Sequence, residues 1–122
     1  MPPVPRTDPR SLIPLAPHVY HILLALQDRV LHGYALIKAI DEQSSGTIVL
    51  GTSTLYAAVN RMLDDGLIAE AQRPPGTEYD DPRRRYYAIT PLGRRVAKAE
   101  AVRIRALDQL AAKHRLIPAK ER

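Results

Sequence analysis

Three arginines in succession, Arg83, Arg84 and Arg85, follow two aspartates and a proline in the stretch DDPRRRYYAITPLG at 80–93. Adjacent guanidiniums repel one another, and the repulsion is relieved by anions. Glu78, Asp80 and Asp81 could supply these across a loop, or a nucleic acid could supply phosphates. A solvated turn balanced by its own acids would use the same residues. A second polar group, Thr52, Ser53, Thr54, Tyr56, Asn60 and Arg61, offers hydroxyls, an amide and a guanidinium. Those groups suit hydrogen bonds to phosphates and to base edges. His18 and His21 stand at i and i+3, but no Cys or Glu near them in sequence completes a metal site. No metal or cofactor is therefore expected. Nucleophile motifs, phosphate-binding loops and sequence-local acid–base pairs are all missing, which argues against an enzyme.

The charge distribution narrows where an anionic partner could sit. Net charge is +5 over 122 residues. Residues 18–72 carry three basic and six acidic side chains, whereas 91–122 carry nine basic and three acidic. Nucleic acid would have to be held largely by arginines outside the middle, although surplus Lys/Arg can equally solubilise a long helix. The chain has no cysteine, so neither disulfides nor thiolate metal sites arise. No apolar run is long enough for a membrane span. The start lacks the apolar segment of an export signal, making the cytoplasm the expected location.

Hydrophobic spacing supplies the scaffold. Residues 1–17 hold six of the eleven prolines and read as a flexible arm, with Arg6 and Arg10 within reach of a nucleic acid. Val19, Ile22, Leu23 and Leu26 predict a first helix over about 18–28. Leu36, Ile37 and Ile40 predict a second over about 33–44. Leu55, Val59, Met62 and Leu63 predict a third over about 53–65, with Thr52 as its N-cap and a stop at Gly66. LIAEAQR and RYYAI, separated by turn chemistry, read as a hairpin. Alternation in the second strand would turn Tyr87 and Ile89 inward, Tyr86 and Ala88 outward. Thr90-Pro91 is a helix start, and the last helix runs to about His114. The fold class is mainly α, of α+β winged-helix type. Three helices and a two-stranded wing (18–90) are followed by a long C-terminal helix and tail (91–122).

ILLALQDRVLHGYALIKAI, GTSTLYAAVNRMLDDGLI and DPRRRYYAITPLGRR together resemble the PadR family of transcriptional regulators over about residues 20–97. The most specific pieces are Leu-His-Gly-Tyr at 31–34, Thr-Leu-Tyr at 54–56, Asp-Gly-Leu-Ile at 65–68, and Arg-Tyr-Tyr followed by Thr-Pro-Leu-Gly. The resemblance implies a winged-helix DNA-binding domain, a dimerising C-terminal helix and, usually, repression relieved by a small molecule. With room for one C-terminal helix, the chain looks like the shorter branch of that family. Relatives often carry lysine where Asn60 stands here, which shifts the expected phosphate contacts toward the wing.

These readings converge on a dimeric, sequence-specific DNA-binding regulator. Its expected DNA contacts are Thr52, Ser53, Thr54, Tyr56, Asn60 and Arg61 on the third helix, Lys38 on the second, and Arg83, Arg84 and Arg85 on the wing. Tyr56 could instead be a partly buried ring, and Lys38 could simply face water. Gly33 would permit a tight turn with Tyr34 packed over it, and His32 would bond locally. Leu92, Val96, Ala99, Ala106 and Leu110 approximate a dimerisation stripe, with Val102 and Leu107 beside it and Val19 and Leu23 of the first helix joining in. A helix folded back on its own domain is the alternative. Two recognition helices predict double-stranded DNA with a pseudo-palindromic operator, its half-sites about one helical turn apart. The residues binding a small-molecule effector are unassigned; stacking of a flat aromatic compound at the dimer centre would fall to Tyr20, if to any aromatic. A protein–protein interaction module on the same winged helix is the competing function.

Overall fold

The computed structural model describes residues 7–118. Pro17 opens α1 (Pro17–Ala25), since a residue without an N–H loses nothing in a helix's first turn. His32 ends a two-residue strand, β1 (Leu31–His32), and caps α2 (Gly33–Gln43), its Nδ1 accepting the Ala35 N–H at 3.3 Å. α3 (Thr52–Asp64) starts one residue earlier than the spacing predicts. Gly51 is its N-cap, and no side chain bonds there. Thr52 is therefore not the cap: it lies inside the first turn with its side chain exposed. α3 ends in a Schellman turn. Gly66 takes φ +76°, and the Leu67 N–H reaches the Met62 carbonyl at 2.9 Å.

β2 (Ile68–Ala71) and β3 (Tyr86–Ile89) form the expected antiparallel pair, with Ile68 opposite Ile89 and Ala71 opposite Tyr86. The wing has a third strand that the pattern did not reveal. β1 pairs with the other edge of β3, Leu31 opposite Tyr87 and His32 opposite Tyr86, giving the order β1-β3-β2. Two residues carry no readable alternation, so only the tertiary partner makes this strand. Tyr86 lies on the face away from the core, as the alternation predicts, while Tyr87 joins the core; what the alternation did not predict is that Tyr86 is buried as well. Its hydroxyl donates to Asp80 Oδ2 at 2.9 Å, the Arg73 guanidinium lies 5.4 Å from its ring centre, and the His32 ring meets it edge-on at 5.5 Å. The outer face of the wing thus has a small core of its own.

α4 (Pro91–Lys113) follows β3 and is tied at its start to the turn that ends α3. Thr90 caps it, accepting the Gly93 N–H at 3.0 Å and donating its hydroxyl to the Gly66 carbonyl. The Thr90 N–H donates to the Leu67 carbonyl at 3.1 Å. Gly93 lies so close that a Cβ there would overlap the same carbonyl oxygen. The first half of α4 packs Val96, Ala97 and Glu100 into the body. Its second half projects past the body, leaving Ile104, Leu107 and Leu110 exposed.

The core is built from Ile22, Leu23, Leu26, Leu36, Ile40, Leu55, Val59, Met62, Ile68, Tyr87 and Val96. Leu23 and Val96 are wholly buried within the single chain, so the expectation that they face a partner is corrected. Helix spacing shows which side chains share a stripe but not whether the stripe is covered from within. The proline-rich start also differs from the flexible arm expected of it, as far as Thr7–Pro17 are concerned; Arg6 lies outside the described residues. Asp8 caps a 3-10 turn at Pro9–Leu12, and Leu12, Ile13 and Leu15 pack against the core. The Leu15 N–H donates to Glu100 Oε2 at 2.7 Å, and the other carboxylate oxygen accepts from Arg103. Apolar side chains between the prolines give this segment a docking face that proline content alone conceals.

Candidate nucleic-acid interface

Burying Leu55, Val59 and Met62 turns the opposite side of α3 to solvent. Thr52, Ser53, Thr54, Tyr56, Asn60 and Arg61 are all exposed there. The end of the helix is set apart from its start by charge. Asp64 and Asp65 stand at the C-terminal end, where Arg61 reaches back to Asp65 at 3.6 Å. The N-terminal half carries hydroxyls and free backbone N–H groups without any acid, so an anion is favoured at that end.

Tyr56 projects from this half toward the start of α2. A Cβ at Gly33 would overlap the Tyr56 hydroxyl and ring. Tyr56 is therefore the ring that covers Gly33. Tyr34, expected in that place, is 70% exposed. Between these elements and the wing lies a cleft of about 440 Å³, lined by His32, Tyr34, Tyr56 and Tyr87 together with Asp81, Arg83, Arg84 and Arg85. Tyr56 and the three arginines, distant in sequence, are brought to one place. Lys38, Asn60 and Arg61 are exposed but do not line that cleft.

The three guanidiniums differ. Arg83 is held by Asp81 at 3.3 Å, and its backbone N–H donates to the same carboxylate at 2.9 Å. That N–H, then the guanidinium, holds the Asp81 carboxyl below its ordinary range. Arg84 pairs with Asp80 at 3.4 Å and is partly buried. Arg85 is exposed and, among the described residues, has no carboxylate partner. Glu78 does not join this balance as expected; it accepts the Gly76 N–H at 3.1 Å inside the turn. Burial, reinforced by the Arg84 charge, pushes the His32 ring down from its ordinary value. This keeps Nδ1 unprotonated, as the α2 cap requires.

Arg73 has a role that no sequence pattern announces. Its guanidinium donates to the Thr77 carbonyl at 3.0 Å and the Asp81 carbonyl at 2.6 Å, tying the loop over Tyr86. A lone arginine at a strand end gives no signal of this; only the turn residues that follow it could have hinted at a donor for their carbonyls. Among the described residues, no group of three or more His, Cys, Asp or Glu is placed to hold a metal ion. His21 Nδ1 lies 3.1 Å from the Gln43 amide.

Residues 22–99 match the family described as Transcriptional regulator PadR-like family. The chain belongs to it. This PadR-like chain is similar to a transcriptional regulator from Clostridium thermocellum, with 27% identity over 79% of this chain and 87% of that one, and a TM-score of 0.65. It is also similar to a PadR family regulator from Eggerthella lenta, with 27% identity over 78% of each chain and a TM-score of 0.61. Bacillus subtilis PadR, solved in complex with operator DNA, is 21% identical; the match covers 70% of this chain and 47% of that protein, with a TM-score of 0.58. No curated protein sequence matches. The helices and small antiparallel sheet are thus those of PadR structures, and the PadR-like family is one of transcriptional regulators, which are generally not enzymes. No described helix is long and apolar enough to cross a membrane.

Proposed function

We propose that the protein is a homodimeric, sequence-specific DNA-binding repressor whose operator affinity is lowered by a small-molecule effector. The observation that carries this reading is the convergence of the acid-free N-terminal half of α3 with the arginine cluster of the wing. α3 enters the major groove, where Ser53, Thr54 and Asn60 meet base edges and phosphates. Arg85 binds backbone phosphate, and Arg83 and Arg84 join it by exchanging their aspartates for phosphate. The operator complex of Bacillus subtilis PadR supports the same use of the fold here.

The dimer uses the projecting half of α4. Ile104, Leu107 and Ala111 continue the helix face that Val96 and Glu100 bury within the body, and Ile104 and Leu107 are left 40% and 51% exposed. A second copy covers them, presenting two α3 helices to a pseudo-palindromic site. Fluorescence anisotropy on DNA upstream of the protein's own gene tests the function. Expected is binding that weakens steeply with salt, because phosphate neutralisation releases counterions. Salt-independent binding, or none across the upstream fragments, would overturn it.

A further inference from the structure

A second cleft, of about 590 Å³, lies between the N-terminal 3-10 turn and α4. Its floor is apolar, made by Pro9 and Ile13 on one side and Ala99 and Val102 on the other. Its rim carries four cations and one acid, Asp8. Arg10 is engaged by Asp8 at 3.3 Å and Arg103 by the buried Glu100. Arg95 and Lys98 have no carboxylate partner among the described residues, although both line the opening. The N-terminal wall falls outside residues 22–99, the part matching the family.

An apolar floor beside two cations without carboxylate partners suits an alkyl chain ending in a carboxylate. We infer that this cleft binds an amphipathic organic monoanion, its hydrocarbon on Ile13, Ala99 and Val102 and its carboxylate between Arg95 and Lys98. A second copy of the chain is a poor occupant, because a twofold contact here would bring the same cationic rim against itself. Ala99 and Val102, which the spacing offered to the dimer, lie on this face of α4, apart from the Ile104–Leu107–Ala111 face now assigned to the dimer. The volume lies within the range of small-molecule sites, about 300–1,000 Å³. A bound chain would bridge the 3-10 turn to α4 beside the projecting half. The cleft is therefore the seat of the effector invoked above, and that assignment rests on the repressor reading; binding itself does not.

Isothermal titration of the full chain with octanoate and with its uncharged amide, octanamide, tests the proposal. Expected is saturation at one octanoate per chain, about tenfold or more tighter than octanamide. Arg95→Gln with Lys98→Gln should remove that preference, while the charge-conserving pair Arg95→Lys with Lys98→Arg keeps it. Equal affinity for the amide, unchanged affinity in the Gln pair, or heats that never saturate would each overturn the assignment. Arg85→Ala should bind octanoate like the unmodified chain yet lose DNA affinity, so failure of the DNA reading and failure of this one are told apart.

Discussion

Arg83, Arg84 and Arg85 are neighbours in sequence but not equivalents in chemistry. Phosphate must displace a carboxylate to reach Arg83 or Arg84, whereas Arg85 is already unpaired among the described residues. Arg85→Ala should therefore weaken binding to every DNA sequence and reduce the log–log salt slope by about 1. Arg84→Ala should act the same way but less, since its pair with Asp80 is lost as well. Asn60→Ala should behave differently, relaxing base preference by about 1–3 kcal/mol at one operator position. Anisotropy on operator and scrambled duplexes at several salt concentrations separates the outcomes; a uniform loss for Asn60→Ala would remove it from the reading face. His32 makes a residue-scale prediction about pH. Its folded pKa lies below the ordinary 6.5, so the folded state binds fewer protons than the unfolded one between those values. The stability it contributes through the α2 cap is full above 6.5 and is lost as pH falls through the lowered value. An NMR titration of the ring should show its midpoint below 6.5.

Two glycines at helix starts show how elements constrain one another. A Cβ at Gly33 meets the far end of a half-exposed tyrosine, whereas a Cβ at Gly93 meets the Leu67 backbone carbonyl. Tyr56 can swing aside; a backbone carbonyl in a Schellman turn cannot. Gly93→Ala should destabilise the fold by about 3 kcal/mol or more and Gly33→Ala by about 1 kcal/mol or less, measured by urea unfolding. Comparable costs would mean that the α3–β2 turn yields. Glu100 joins the N-terminal segment to α4 in the same way. Its hydrogen bond with Arg103, then the Leu15 N–H, holds the carboxyl below its ordinary 4.5 despite the cost of burial. That contribution is present above 4.5 and is lost as pH falls through the lowered value. Between pH 6 and 3 the wild type should thus lose more stability than Glu100→Gln; parallel curves would show that the carboxylate charge is not used. Helix spacing made α1 to α4 legible because each buries a continuous stripe. It could not disclose β1, whose two residues become a strand only beside Tyr86 and Tyr87, nor the burial of Tyr86 under Arg73. The four recognisable motifs were visible as words, but their pairing was not. Leu-His-Gly-Tyr touches Thr-Leu-Tyr through Gly33 and Tyr56, and Asp-Gly-Leu-Ile touches Thr-Pro-Leu-Gly through Gly66, Leu67 and Thr90.

At the scale of the whole molecule, the projecting half of α4 is what one chain cannot satisfy alone. Leu107 is 51% exposed, and in the proposed dimer it is covered by a partner. Leu107→Glu should give a monomer by light scattering and weaken operator binding severely, while leaving the winged helix folded by circular dichroism. A dimeric Leu107→Glu would move the interface elsewhere. The same reading predicts that operators with half-sites spaced about one helical turn apart bind best, and that inserting half a turn between them abolishes tight binding. The joint at Thr90, Gly66 and Leu67 then acquires mechanical meaning. α4 has 23 residues and so extends about 35 Å from that joint at 1.5 Å per residue. It is a boom clamped to the end of α3, the helix proposed to read DNA. A tilt of about 5° at the clamp displaces the far end by about 3 Å, and the converse holds. In the proposed dimer, anything that shifts how two booms cross would reset the distance between the two α3 helices, with no rearrangement inside either domain.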